Sequence, residues 1–173
     1  MMKTTLAALA LATTLAVPAA AEHPRPSTTI VEAAASNDDF ETLVAAVKAA
    51  DLVGTLSSDG PFTVFAPTDR AFSKLPAGTL DSLLQPSQKG ALTDILTYHV
   101  VAGNVRAADI ARLAKRSNGT VALETVQGDL LRFMVTDHGI LVKDNSGNTF
   151  NITAADLRQS NGVIHVIDGV LLP

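Results

Sequence analysis

Four histidines, at 23, 99, 138 and 165, are the side chains here best suited to proton transfer or metal ligation. His23 stands in the breaker run His23-Pro24-Arg25-Pro26 and His138 in the turn Asp137-His138-Gly139, so both are expected in solvent. His99 and His165 lie within apolar sequence, where an imidazole is usually a neutral core residue held by a backbone or hydroxyl partner. The competing reading makes them ligands or acid–base groups with Asp94 or Asp168, in a small exported enzyme or metal-binding protein. A third reading is a periplasmic carrier of a small apolar ligand, which requires a dry pocket. The run Asp144-Asn145-Ser146-Gly147-Asn148 places oxygen ligands at alternate positions like a calcium loop. Thr149 occupies the position that needs glycine, however, and Ala155 the position of the bidentate Glu, so a polar hairpin turn is expected. No Walker loop, GxGxxG, HExxH or GxSxG pattern occurs, and nothing in the sequence points to a Ser-His-Asp triad, whose members need only meet in space. No cofactor is expected.

Composition narrows the classes further. The 173 residues carry 13 Lys+Arg against 17 Asp+Glu, a formal charge of −4, which argues against a phosphate-binding nucleic-acid surface. Without cysteine the chain has no disulfide, thiol nucleophile or thiolate metal site. Residues 1–21 hold 15 apolar residues and a single charge, Lys3. Residues 6–17 form an apolar run too short to span about 30 Å of hydrocarbon, and Ala19-Ala20-Ala21 gives a small-x-small cleavage pattern. A secretory signal over 1–21 is expected, cut before Glu22, followed by a Pro-rich leader over 22–27 and one domain over 28–173. The remaining 152 residues carry a charge of −5 and should hold no stable membrane insertion. Asn118-Gly119-Thr120 and Asn151-Ile152-Thr153 are formal glycosylation sequons.

Periodicity gives the elements that position these groups. Ser36 with Asp39 reads as a helix start, with Phe40, Leu43, Val44 and Val47 on one stripe and an end near Gly54. Residues 62–66 form a buried strand stopped by Pro67, after which Thr68 or Asp69 caps a helical turn bearing Ala71 and Phe72. Thr79 is expected to cap a short helix, and Ser87 to open a longer one with Leu92, Ile95 and Leu96 inward. Asp94 and Tyr98 would share its other face if the helix persists that far. From Tyr98 the pattern turns β, with a strand over 98–101 and a short helix over 107–113. Strands then follow over 121–126, 130–135, 140–142 and 150–152 as an antiparallel meander, and residues 163–167 form a strand buried on both faces. Helices first and strands later predict an α+β fold.

Gly60-Pro61-Phe62-Thr63-Val64-Phe65-Ala66-Pro67-Thr68-Asp69-Arg70-Ala71-Phe72 forms a first block, followed by Leu75-Pro76 and Tyr98-His99-Val100-Val101. With the closing block Asn161-Gly162-Val163-Ile164-His165-Val166-Ile167-Asp168-Gly169-Val170-Leu171-Leu172-Pro173, these segments strongly resemble the fasciclin I (FAS1) domain family over about Ser27 to Pro173. The resemblance implies an α+β domain built around a β-wedge of mainly antiparallel strands with several short helices packed on it. It also implies export and non-catalytic work in adhesion, with a protein or polysaccharide at a cell surface or matrix as partner. Its signature positions here are Phe62, Phe65, Pro67, Thr68, Asp69, Phe72, Tyr98, His99, Gly162, His165, Ile167 and Asp168, which read physically as scaffold. The Asp-Ile and Tyr-His pairs that the family resemblance credits with adhesive binding fall on Asp94, Ile95, Tyr98 and His99. Helical phase places Ile95 on the core stripe with Leu92 and Leu96.

Overall fold

A computed structural model describes residues 26–173. The expected signal over 1–21 and most of the leader lie outside the described residues. A helix that the sequence did not announce opens the fold: α1 (Ile30–Ala35), set by a capping box in which Thr29 and Glu32 satisfy each other's exposed amides. Ser36 therefore ends a helix rather than starting one. Asn37 caps the 3-10 turn Asp38–Phe40 that leads into α2 (Glu41–Ala49), and α3 (Val53–Leu56) is a separate turn beyond Asp51. The helix expected to run to Gly54 breaks because Asp51 adopts a left-handed conformation, φ 62°.

Strand β1 (Phe62–Pro67) is followed by α4 (Asp69–Phe72), capped by the Thr68 hydroxyl as expected. In α5 (Thr79–Leu83) the cap is Gly78 at φ 82° and not Thr79. After a 3-10 turn at Pro86–Gln88, α6 (Lys89–Tyr98) continues through Tyr98 and His99 is its cap, so β2 (Val100–Ala102) begins two residues later than the sequence suggested. Next come α7 (Ala107–Arg116), β3 (Thr120–Glu124), β4 (Leu130–Thr136), β5 (Gly139–Lys143), the long β6 (Thr149–Gln159) and β7 (Gly162–Ile167).

The seven strands lie in the order β2-β1-β7-β6-β5-β4-β3. All neighbours are antiparallel except β1 and β7, which run parallel from Phe62↔Gly162 to Pro67↔Ile167. Two irregularities in the β6–β7 register bend the long strand, and a bridge between Val101 and Thr125 brings the two ends of the sheet together, so the wedge nearly closes. This is the α+β architecture expected.

Strand alternation divides the core in two. From β1 and β7, Val64, Ala66, Ile164 and Val166 face outward into a cluster built with α1–α6, including Ile30, Leu43, Val47, Leu92 and Leu96. Phe65 and Ile167 face inward, joining Tyr98, Val101, Ile110, Leu131, Phe133, Val142 and Leu171 inside the wedge. Every residue of β7 is buried, the both-faces strand expected from its apolar run.

Candidate functional site

The candidate adhesion residues lie on the last two turns of α6, at different depths. Asp94 is exposed and Ile95 half-buried against the helical cluster, beside the buried Leu92 and Leu96. Tyr98 is 0% exposed and His99 2%. Asp94 and Tyr98 are four apart yet share no surface, because the helix ends at Tyr98 and its final turn runs into the wedge. The Tyr98 hydroxyl accepts a hydrogen bond from Asn145 N–H at 3.0 Å and reaches the Leu130 carbonyl at 3.5 Å. Burial pushes its pKa up.

His99 ties the end of α6 to the chain terminus. Its Nδ1 lies 2.7 Å from the Ile95 carbonyl, to which it must donate, and its Nε2 accepts from Leu171 N–H at 2.9 Å. That pair of partners fixes the neutral Nδ1–H tautomer, and burial pulls the pKa down to about 4. His165 is held the same way in the other tautomer. Nε2 donates to Val105 O at 2.8 Å and Nδ1 accepts from Asp156 N–H at 3.3 Å, while the ring stacks on Phe65 with centroids 5.3 Å apart. Burial lowers its pKa as well.

The carboxylates that could have partnered these rings are engaged elsewhere. Asp168 accepts from the Asn151 backbone at 2.8 Å and its side-chain amide at 3.1 Å. Asp144, 1% exposed, accepts from the Asn148 backbone at 2.7 Å, the Asn148 amide at 3.0 Å and Leu172 N–H at 3.2 Å. The loop that resembled a calcium site is thus a hairpin turn whose acid is satisfied by the protein itself. Among the described residues no three His, Asp or Glu side chains are placed to share a metal ion. The sequon residue Asn151 uses its amide on Asp168 in β6, whereas Asn118 stands exposed at φ 55° after α7.

The other signature positions hold chain segments together. Asp69 accepts from Thr42 N–H at 2.8 Å, joining α4 to α2, and Phe72 is buried in the helical cluster. Gly162 meets the Phe62 carbonyl so closely that a Cβ would overlap it, which permits the tight parallel start of β1 and β7. A residue not singled out from sequence ties three chain segments together. Asn161 accepts from Ile30 N–H at 3.0 Å and donates to Leu56 O at 2.8 Å and Ser58 O at 2.9 Å. Its place before Gly162, in a sequence that first reads as a turn, was the available signal.

An apolar cavity of about 30 Å³ lies among Ile30, Leu43, Val47, Val64 and Leu96. That is room for a methyl group or a water, whereas a benzene-sized guest needs a cavity of about 150 Å³. The carrier reading finds no adequate space there.

A Fasciclin domain model matches residues 38–173. The chain is 54% identical over 145 residues to Protein sll1483 of Synechocystis sp., covering 84% of this chain and 73% of that one. It is 36% identical over 149 residues to Immunogenic protein MPB70 of Mycobacterium bovis, covering 83% and 68%. A solved FAS1 domain pair from the insect cell adhesion molecule fasciclin I superposes with a TM-score of 0.75 at 24% identity. That match spans 86% of this chain and 52% of the insect one.

Proposed function

Because this chain belongs to the Fasciclin domain family, we propose that it is an exported binding module of the adhesion type. It makes non-catalytic contact with a protein or polysaccharide at a cell surface or matrix. One observation carries the non-catalytic part. The buried polar side chains with known chemistry, His99, His165, Tyr98 and Asp144, spend their polar atoms on backbone groups of the protein itself. Such groups stabilise a scaffold, and recognition is left to the surface. Membership supports the adhesion role, and the leader-like residues 1–21 support export.

Within the candidate adhesion segment, Asp94 is the residue that meets a partner. Ile95, Tyr98 and His99 hold its helix in place from below. Immobilised matrix proteins, intact cells and cell-wall polysaccharides, titrated with folded protein, test the proposal. Saturable binding is expected, weakened by Asp94→Ala with no change in Tm. Absence of saturable binding to all three would overturn it.

A further inference from the structure

A groove of about 390 Å³ opens where β1 and β7 end side by side and the chain leaves them through Thr68 and Asp168. Arg70 and Lys74, one helical turn apart in sequence, stand on one wall; Thr153 and Asp168 form the other. A second depression of about 230 Å³ continues from it past Lys74, bordered by Asn148 and Phe150. Gly169 seats the Phe150 ring, since a Cβ there would overlap the ring atoms.

The charges along this groove are unevenly used. The two ion pairs formed among the described residues are Lys89–Asp51 and Arg112–Asp109, so neither Arg70 nor Lys74 has a carboxylate partner. Lys74 donates to the main-chain carbonyl of Asp168, while the Asp168 carboxylate accepts from the Asn151 backbone and side-chain amide. Two cations in a protein of formal charge −4 therefore line a groove that also holds the Asp168 carboxylate and the hydroxyl oxygens of Thr68 and Thr153, with the partly buried Phe150 side chain at one end. Guanidinium and ammonium groups bind carboxylates by charge-assisted hydrogen bonds. Hydroxyl oxygens suit a partner rich in its own hydroxyls, and a phenyl ring offers an apolar plate to a flat ring face.

We propose that this groove binds uronate-bearing polysaccharide, with Arg70 and Lys74 pairing with sugar carboxylates and Phe150 supporting a sugar ring. The inference rests on the reading of the chain as an extracellular binding module and adds to the Asp94 contact a second site with its own ligand class. The probe is a galacturonate tetramer titrated into the full chain by calorimetry, with amide chemical-shift mapping. A neutral glucose tetramer and a short polyglutamate peptide serve as comparisons.

The galacturonate tetramer should bind saturably, shift the amides of residues 68–74, 148–153 and 167–169, and outbind both comparisons. Arg70→Gln with Lys74→Gln should weaken it about tenfold or more at unchanged Tm. Lys115→Gln with Arg116→Gln, on the basic end of α7, should leave it unchanged. Equal binding by the Arg70/Lys74 variant, equal binding of polyglutamate, or no binding of the tetramer would each overturn the proposal. If matrix binding persists in the Arg70/Lys74 variant while tetramer binding is unaffected, the groove is refuted and the module reading stands. If the tetramer binds but cells and matrix do not, the module reading fails and the groove stands.

Discussion

His99 shows how a residue suited to chemistry becomes a stabilising contact with a pH signature. Its folded pKa near 4 lies below the ordinary value of 6.5, so the unfolded chain binds the proton more readily between those limits. Stability from the neutral ring is therefore complete above pH 6.5, falls as the pH drops toward 4, and is level below that. The loss is on the order of 3 kcal/mol. His165, also lowered by burial, adds in the same direction. Thermal unfolding followed from pH 7.5 to 4.5 should show Tm level down to about pH 6.5 and falling below it. His99→Gln should be less stable at pH 7.5 and show a shallower acid dependence; parallel curves for the two proteins would refute the assignment. Tyr98→Phe strips the acceptor from Asn145 N–H in the β5–β6 turn and should cost about 1–3 kcal/mol, read from urea midpoints.

Elements bounded by turn chemistry were legible, and elements made by tertiary contact were not. Pro67 and Thr68 announced the end of β1 and the start of α4, and the Gly- and Asn-bearing turns announced the meander from β3 to β6. Tyr98 misled because an aromatic residue beside His99 and two valines reads as strand. The helix nevertheless runs on, since His99 caps it and the wedge buries its last turn. For the same reason the expected Asp94–Tyr98 face does not exist as a surface. The groove was half legible: Arg70 and Lys74 sit at helical spacing after a cap, but Thr153 and Asp168 join them only through the β6–β7 pairing. Helix α1 carried a legible capping box in Thr29-Ile30-Val31-Glu32, but six residues are too few to read as a stable helix, and Asn161, far along the chain, secures it. Asn161→Ala removes two buried hydrogen bonds and one part-buried one linking α1, the end of α3 and the segment before β1, and should cost about 2–4 kcal/mol. Hydrogen exchange should quicken first at Ile30–Ala35 and leave β4 and β5 protected; uniform acceleration would show that α1 is not held locally.

At the scale of the whole molecule, the two hydrophobic clusters are not two folding units, because the same two strands face both. Side chains of β1 and β7 alternate between the helical cluster and the wedge interior, so releasing either cluster uncovers one face of strands that the other cluster needs. The molecule should therefore unfold in one transition. The chain supplies its own reporters for this. Its single tyrosine, Tyr98, lies in the wedge interior and there is no tryptophan, so intrinsic fluorescence reads that cluster. Far-UV circular dichroism is dominated by helices, most of which pack on the other. Urea titrations read both ways should give coincident midpoints. Ile30→Val in the helical cluster and Ile110→Val in the wedge should each cost about 0.5–1.5 kcal/mol. Each should move both probes together, and the double variant should equal their sum within about 0.5 kcal/mol because the two sites share no packing partners. Separate midpoints for fluorescence and dichroism, with Ile30→Val moving only the second, would mean that the wedge folds without its helical face and that the parallel pair does not couple the two cores.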